Sequence, residues 1–125
     1  MKLFQIRRPA LHALAFGAAA LVMTSTAFAH AHMVSSAPAA NAEVAAPEAV
    51  TIHFTEPLEA AFSKITLDDE TGKAVAPAAA EVDQQDAKVM RLPLPQLSTG
   101  RYAVHWIAVA MDGHRTQGDF AFNVK

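Results

Sequence analysis

The chain of 125 residues contains no cysteine. Disulfide bracing, thiolate metal ligation and thiol catalysis are therefore excluded, and any bound metal must be held by nitrogen, oxygen or thioether. Aromatic residues are few: seven phenylalanines, one tryptophan and one tyrosine. They are too sparse to form a flat platform for stacking sugars or bases. Excess positive charge is missing as well, with ten Lys and Arg against twelve Asp and Glu. The only long apolar stretch lies at the beginning. Lys2, Arg7 and Arg8 precede Ala10 to Met23, which carries no acid, and Ala27-Phe28-Ala29 follows with the small-x-small pattern that signal peptidase cuts. The stretch is shorter than the roughly 20 apolar residues of a membrane span. Residues 1–29 are expected to be a cleaved signal peptide, and 30–125 a single exported domain.

Removal of residues 1–29 takes away three of the basic side chains and none of the acids. The mature chain then carries seven basic against twelve acidic groups, a net charge of −5 with histidines neutral. That balance excludes a phosphate-tracking face, so no nucleic acid is expected as partner. It also offers no basic patch to an anionic membrane surface.

The remainder reads as short strands between turns. Val50-Thr51-Ile52-His53-Phe54 alternates apolar and polar residues, and Pro57 ends it. Phe62 to Leu67 and Ala87 to Leu92 are further strand candidates. Asp68-Asp69-Glu70-Thr71-Gly72 is turn chemistry, with Gly72 suited to a positive φ. Ala39 to Pro47 reads as loop, and Ala74 to Val82 carries little signal. The longest strand is expected from Arg101 to Met111, with Tyr102, Val104, Trp106, Ala108 and Ala110 on one face. Asp119 to Val124 closes the chain, with Phe120, Phe122 and Val124 on one face. The fold class is all-β: a small antiparallel sandwich or barrel.

Five histidines remain after export: His30, His32, His53, His105 and His114. Cleavage after Ala29 places His30 at the N-terminus. Its α-amine, whose pKa is about 7.7–8.0, and its ring Nδ1 can then close a chelate ring on one cation. Cleavage after Ala31 also fits the pattern and would leave His32 first. Met111-Asp112-Gly113-His114 sets a carboxylate and an imidazole two residues apart. In extended backbone these side chains share a face, and Gly113 permits a bend if a loop is required. Two nitrogens from His30, one from His114 and one oxygen from Asp112 make an N3O set, which suits tetragonal Cu(II). Zinc accepts the same ligands in a tetrahedral arrangement. The plainer reading of Asp112 is a turn residue accepting backbone N–H groups. His53 and His105 lie within strand patterns and are expected to be hydrogen-bonded structural histidines. Met33, Met90 and Met111 are scattered and read as packing residues. Glu56 and Glu59 follow a strand and read as solvated, although a carboxylate such as Glu56 near a cation would favour it.

Four segments together resemble the CopC-like family of periplasmic copper-binding, copper-resistance proteins. They are His30-Ala31-His32-Met33-Val34-Ser35-Ser36-Ala37-Pro38, His53-Phe54-Thr55-Glu56-Pro57-Leu58, Gly100-Arg101-Tyr102-Ala103-Val104-His105-Trp106, and Asp112-Gly113-His114 with the closing segment from Gly118 to Val124. The resemblance implies an immunoglobulin-like, Greek-key β-sandwich or barrel in the periplasm. It implies one Cu(II) per chain, held by His30, Asp112 and His114, a register that favours cleavage after Ala29. Glu56 matches an acidic position near the copper in some members, as an outer ligand or a group behind the ligands, and His32 falls where members vary. Some members carry a methionine-rich Cu(I) segment in mid-chain. Here Ser63 to Met90 contains only Met90, so a Cu(II)-only member is implied. The function expected is copper buffering, resistance or delivery to a CopD-like permease of the inner membrane by a monomeric, non-enzymatic protein. The rival expectation is a copper-dependent oxidase of the polysaccharide monooxygenase type, which also uses an N-terminal histidine. The scarcity of aromatics and the Asp112 carboxylate weigh against it, and no polysaccharide partner is expected. A β-sandwich interaction module without metal is the third.

Overall fold

A computed structural model describes residues 30–75 and 78–125. The expected signal peptide, residues 1–29, and the Ala76-Pro77 pair lie outside the described residues. Eight strands follow in order: β1 (Met33–Ala37), β2 (Glu43–Val44), β3 (Ala49–Phe54), β4 (Lys64–Asp68), β5 (Glu81–Val82), β6 (Val89–Pro93), β7 (Gly100–Val109) and β8 (Arg115–Val124). No helix occurs among the described residues. The strands form two four-stranded sheets, ordered β1-β3-β6-β5 and β2-β8-β7-β4. All pairings are antiparallel except β2 with β8, where Glu43 and Val44 run alongside Asn123 and Val124.

Alternation decides which face of each strand turns inward. Val50, Ile52 and Phe54 of β3, Met90 and Leu92 of β6, Ile65 and Leu67 of β4, Tyr102, Val104, Trp106 and Ala108 of β7, and Phe122 and Val124 of β8 make one core between the sheets. The expected inward faces of β7 and β8 are those found, with Phe120 half-buried at the margin. Across the sheets the Phe54 and Trp106 rings meet edge to face at 5.1 Å, a favoured aromatic geometry. Trp106 lies opposite Gly118 in the β7–β8 register, and the indole occupies the space a side chain would fill there. The Tyr102 hydroxyl donates to the carbonyl of Ser98 at 2.7 Å. This is the tyrosine corner that pins the entry of a strand in immunoglobulin-like sandwiches.

Three departures from the sequence expectation have physical reasons. β1 was not expected, because an edge strand leaves its side chains exposed and shows no apolar alternation. β2 falls within the expected loop 39–47; it exists through its pairing with the end of β8, a long-range contact no local propensity encodes. β8 begins at Arg115 instead of Asp119, since its polar first half pairs with β7 while facing solvent.

Candidate metal centre

One end of the sandwich gathers residues 30–32, the 55–59 link and the turn between β7 and β8. β7 passes into β8 through residues 110–114, where the Gly113 N–H donates to the Ala110 carbonyl and the Ala110 N–H to the His114 carbonyl, both at 2.9 Å. Of the two geometries the sequence allows here, extended or bent at Gly113, the bend is formed: a tight turn with Gly113 at a φ of 87°, a conformation that glycine adopts without steric cost. The turn leans on the 55–59 link: Leu58 bridges Ala110, the Met111 N–H donates to the Pro57 carbonyl at 3.3 Å, and the Glu59 N–H to the Val109 carbonyl at 2.8 Å. Ser63, buried beneath, accepts the Val109 N–H at 3.0 Å.

Within this turn Asp112 engages His114 twice. One carboxylate oxygen accepts the His114 backbone N–H at 3.0 Å, and the other meets the ring Nδ1 at 2.7 Å. The His114 backbone N–H, then its ring, and finally the charge of His30 hold the Asp112 carboxyl below its ordinary pKa. The turn reading of Asp112 is the one formed, with its carboxylate accepting from the backbone and the ring of His114. A carboxylate on Nδ1 fixes the proton there and leaves the lone pair on Nε2, the tautomer in which imidazole binds a metal.

The His30 ring stands edge-on to the His114 ring, with centroids 4.7 Å apart, and the His32 ring lies 6.2 Å from His30. A cation with bonds of about 2 Å spans the shorter separation. His30 is half-buried, while His32 and His114 are exposed. Among the described residues no three His, Asp or Glu side chains already converge as a metal cage, in keeping with an Asp112 carboxylate committed to His114. Glu56 is half-buried between Thr55 and Pro57, whose backbone groups bond to the His32 carbonyl and to Met111. It therefore belongs to the same end of the molecule.

The remaining histidines stand apart. His53 is exposed on β3. His105 lies on the outer face of β7, its Nδ1 bonded to Asp119 and its Nε2 to Asp68 at 3.2 Å. It is the hydrogen-bonded structural histidine expected. Met90 is fully buried, as a packing residue should be, whereas Met33 and Met111 are exposed. Sequence reasoning missed Thr55 and Thr116, whose hydroxyls bond to the backbone of residues 30–32; a threonine at a strand end carries no distinguishing pattern.

Comparison with known proteins adds to this geometry. The CopC domain model matches residues 33–125. The protein YobA of Escherichia coli K12 is 39% identical over 106 residues, covering 83% of this chain and 86% of that protein. Copper resistance protein C of Xanthomonas campestris pv. juglandis is 36% identical over 113 residues, covering 86% of this chain and 89% of that protein. The crystal structure of CopC from Methylosinus trichosporium OB3b superposes with a TM-score of 0.72 at 32% identity, covering 77% of this chain and 94% of that one.

Proposed function

The chain belongs to the CopC-domain family, and from that premise we propose that it is a periplasmic copper-binding protein of the copper-resistance class. Residues 1–29 are its signal peptide. The mature protein holds one Cu(II) through the His30 α-amine and ring Nδ1, a nitrogen of His114 and an oxygen of Asp112. The observation that carries this reading is the approach of the His30 and His114 rings to 4.7 Å, although the residues lie far apart in the sequence. The donor types support it too, since nitrogen with oxygen and no thiolate favours Cu(II), which tops the divalent affinity order.

Asp112 acts in two stages. Before metal arrives it orients the His114 ring; on binding it supplies negative charge, and its oxygen completes the set as the carboxylate turns off Nδ1. Glu56, at the same end, adds charge behind the ligands, and His32 stands outside the four donors. The function is carriage: a monomer buffers copper or passes it to a CopD-like permease in the inner membrane. No bond of a substrate is made or broken.

The test uses the full-length gene, export in a bacterial host, and intact mass of the purified protein with and without one equivalent of Cu(II). The expected result is a chain beginning at His30 that retains one copper, with the copper lost in His30→Ala. A chain retaining earlier residues, or copper held equally by His30→Ala, overturns the reading.

A further inference from the structure

The backbone of residues 30–32 is bonded at every carbonyl. That of His30 accepts from the Thr55 hydroxyl at 3.2 Å, that of Ala31 from the Thr116 hydroxyl at 2.6 Å, and that of His32 from the Thr55 N–H at 2.9 Å. The His32 N–H in turn donates to the Thr55 hydroxyl oxygen at 2.9 Å. A hydroxyl has one hydrogen to give and lone pairs to receive, so Thr55 serves as donor to one peptide and acceptor from the next. Between the bonded carbonyls of His30 and His32, Ala31 is wholly buried and belongs to the core. Chain ends ordinarily fray; this segment is fastened on both sides and plugged in the middle.

The two fasteners come from different sheets. Thr55 follows the last residue of β3, and Thr116 lies on β8, two positions beyond His114. The segment that carries His30 is thereby tied to the strand that carries its ring partner. We propose that Thr55 and Thr116 are positioning residues of the copper site. Their hydroxyls clamp the 30–32 backbone so that the His30 amine and ring are held in reach of His114 before the metal arrives. The buried Ala31 sets the register, so that only a chain beginning at His30 has the complete site. Cleavage after Ala31 would discard the plug, the Thr116 bond and the Thr55 bond to the His30 carbonyl. Ligands already ordered lose less freedom on binding, so the clamp strengthens affinity without touching the ion. The inference rests on the copper reading above.

The variants are Thr55→Val and Thr116→Val, which keep the side-chain shape and remove the hydroxyl, with Thr55→Ser and Thr116→Ser to restore it. Ile65→Val, in the core on β4, is the control for a general loss of stability. Three readouts are taken: the Cu(II) dissociation constant by chelator competition, the Cu(II) electron paramagnetic resonance lines, and, without metal, hydrogen exchange at the His32 amide. Each valine variant should weaken binding roughly 3- to 10-fold, the worth of one hydrogen bond, and broaden the resonance lines. The serine variants should recover both. Thr55→Val should also speed exchange at His32, a readout independent of copper. Valine variants with unchanged affinity, unchanged lines and unchanged exchange overturn the clamp, as does Ile65→Val weakening copper equally. If the wild type or His30→Ala fails the mass experiment instead, the copper reading falls, and the exchange measurement still decides whether the clamp exists.

Discussion

Two histidines of this chain bond to aspartates with opposite consequences. His105 has a carboxylate beside each ring nitrogen, an arrangement that favours the protonated ring, in which neither nitrogen offers a lone pair. The Asp119 hydrogen bond raises its pKa above the ordinary 6.5, with the charges of Asp119 and Asp68 adding and partial burial opposing. A raised folded-state value means the stabilisation is complete below the unfolded pKa and is lost as pH rises through the folded one. The ring is 45% exposed, so solvent screens the pair and the effect is small. Urea unfolding of wild type and His105→Gln at about pH 5.5 and about pH 9 should show a larger stability difference at the acidic pH. Equal differences at both would mean that His105 is not held as a bridging cation. At His114, by contrast, Asp112 occupies only Nδ1 and leaves the Nε2 lone pair open. From the sequence, His105 was legible as a hydrogen-bonded structural histidine, but its partners were not. Asp68 and Asp119 come from separate strands and reach it through a register that no local pattern reveals.

At the scale of elements, the β7–β8 hairpin is the spine of the second sheet, and Gly118 is where the Trp106 indole leaves no room for a side chain. A Cβ at that position would lie 2.5 Å from the Trp106 ring, and Trp106 is held in turn by Phe54. Gly118→Ala should therefore destabilise the fold by about 1–3 kcal/mol, the usual cost of overpacking. In a domain of this size that lowers the thermal midpoint by roughly 4–8 °C per kcal/mol. An unchanged midpoint in a melting experiment would show that the indole moves aside freely. The inward faces of β3, β7 and β8 were legible because a strand with one buried face alternates. β1 and β2 were not: one is an exposed edge, and the other two residues exist as strand only through their parallel partner. The candidate site was legible in part. His30, Asp112 and His114 stood out by residue type and position, whereas the turn geometry at Gly113 and the hydroxyls of Thr55 and Thr116 are consequences of the assembled sandwich.

At the scale of the whole molecule, metal and fold are linked. A ligand that binds only the folded state at about a hundred times its dissociation constant adds about 2.7 kcal/mol to stability. Cu(II) should accordingly raise the melting temperature of the mature protein. On the proposed ligand set the rise should shrink as the pH falls from about 8 to about 5, because protons compete with the cation for nitrogen donors. A copper-induced rise that is flat across that range would mean the nitrogens are not the ligands. The clamp also has a consequence for timing. Thr116 lies on β8, the last strand, where it pairs beside Ala108 of β7, so the cradle around residues 30–32 is complete only once the β7–β8 hairpin has formed. On the proposed cleavage, the amine at His30 is created only when the residues before it are removed. On the copper reading, a chain that still carries a leader before His30, or in which β8 has not yet paired, therefore holds the ion less tightly than the folded mature domain.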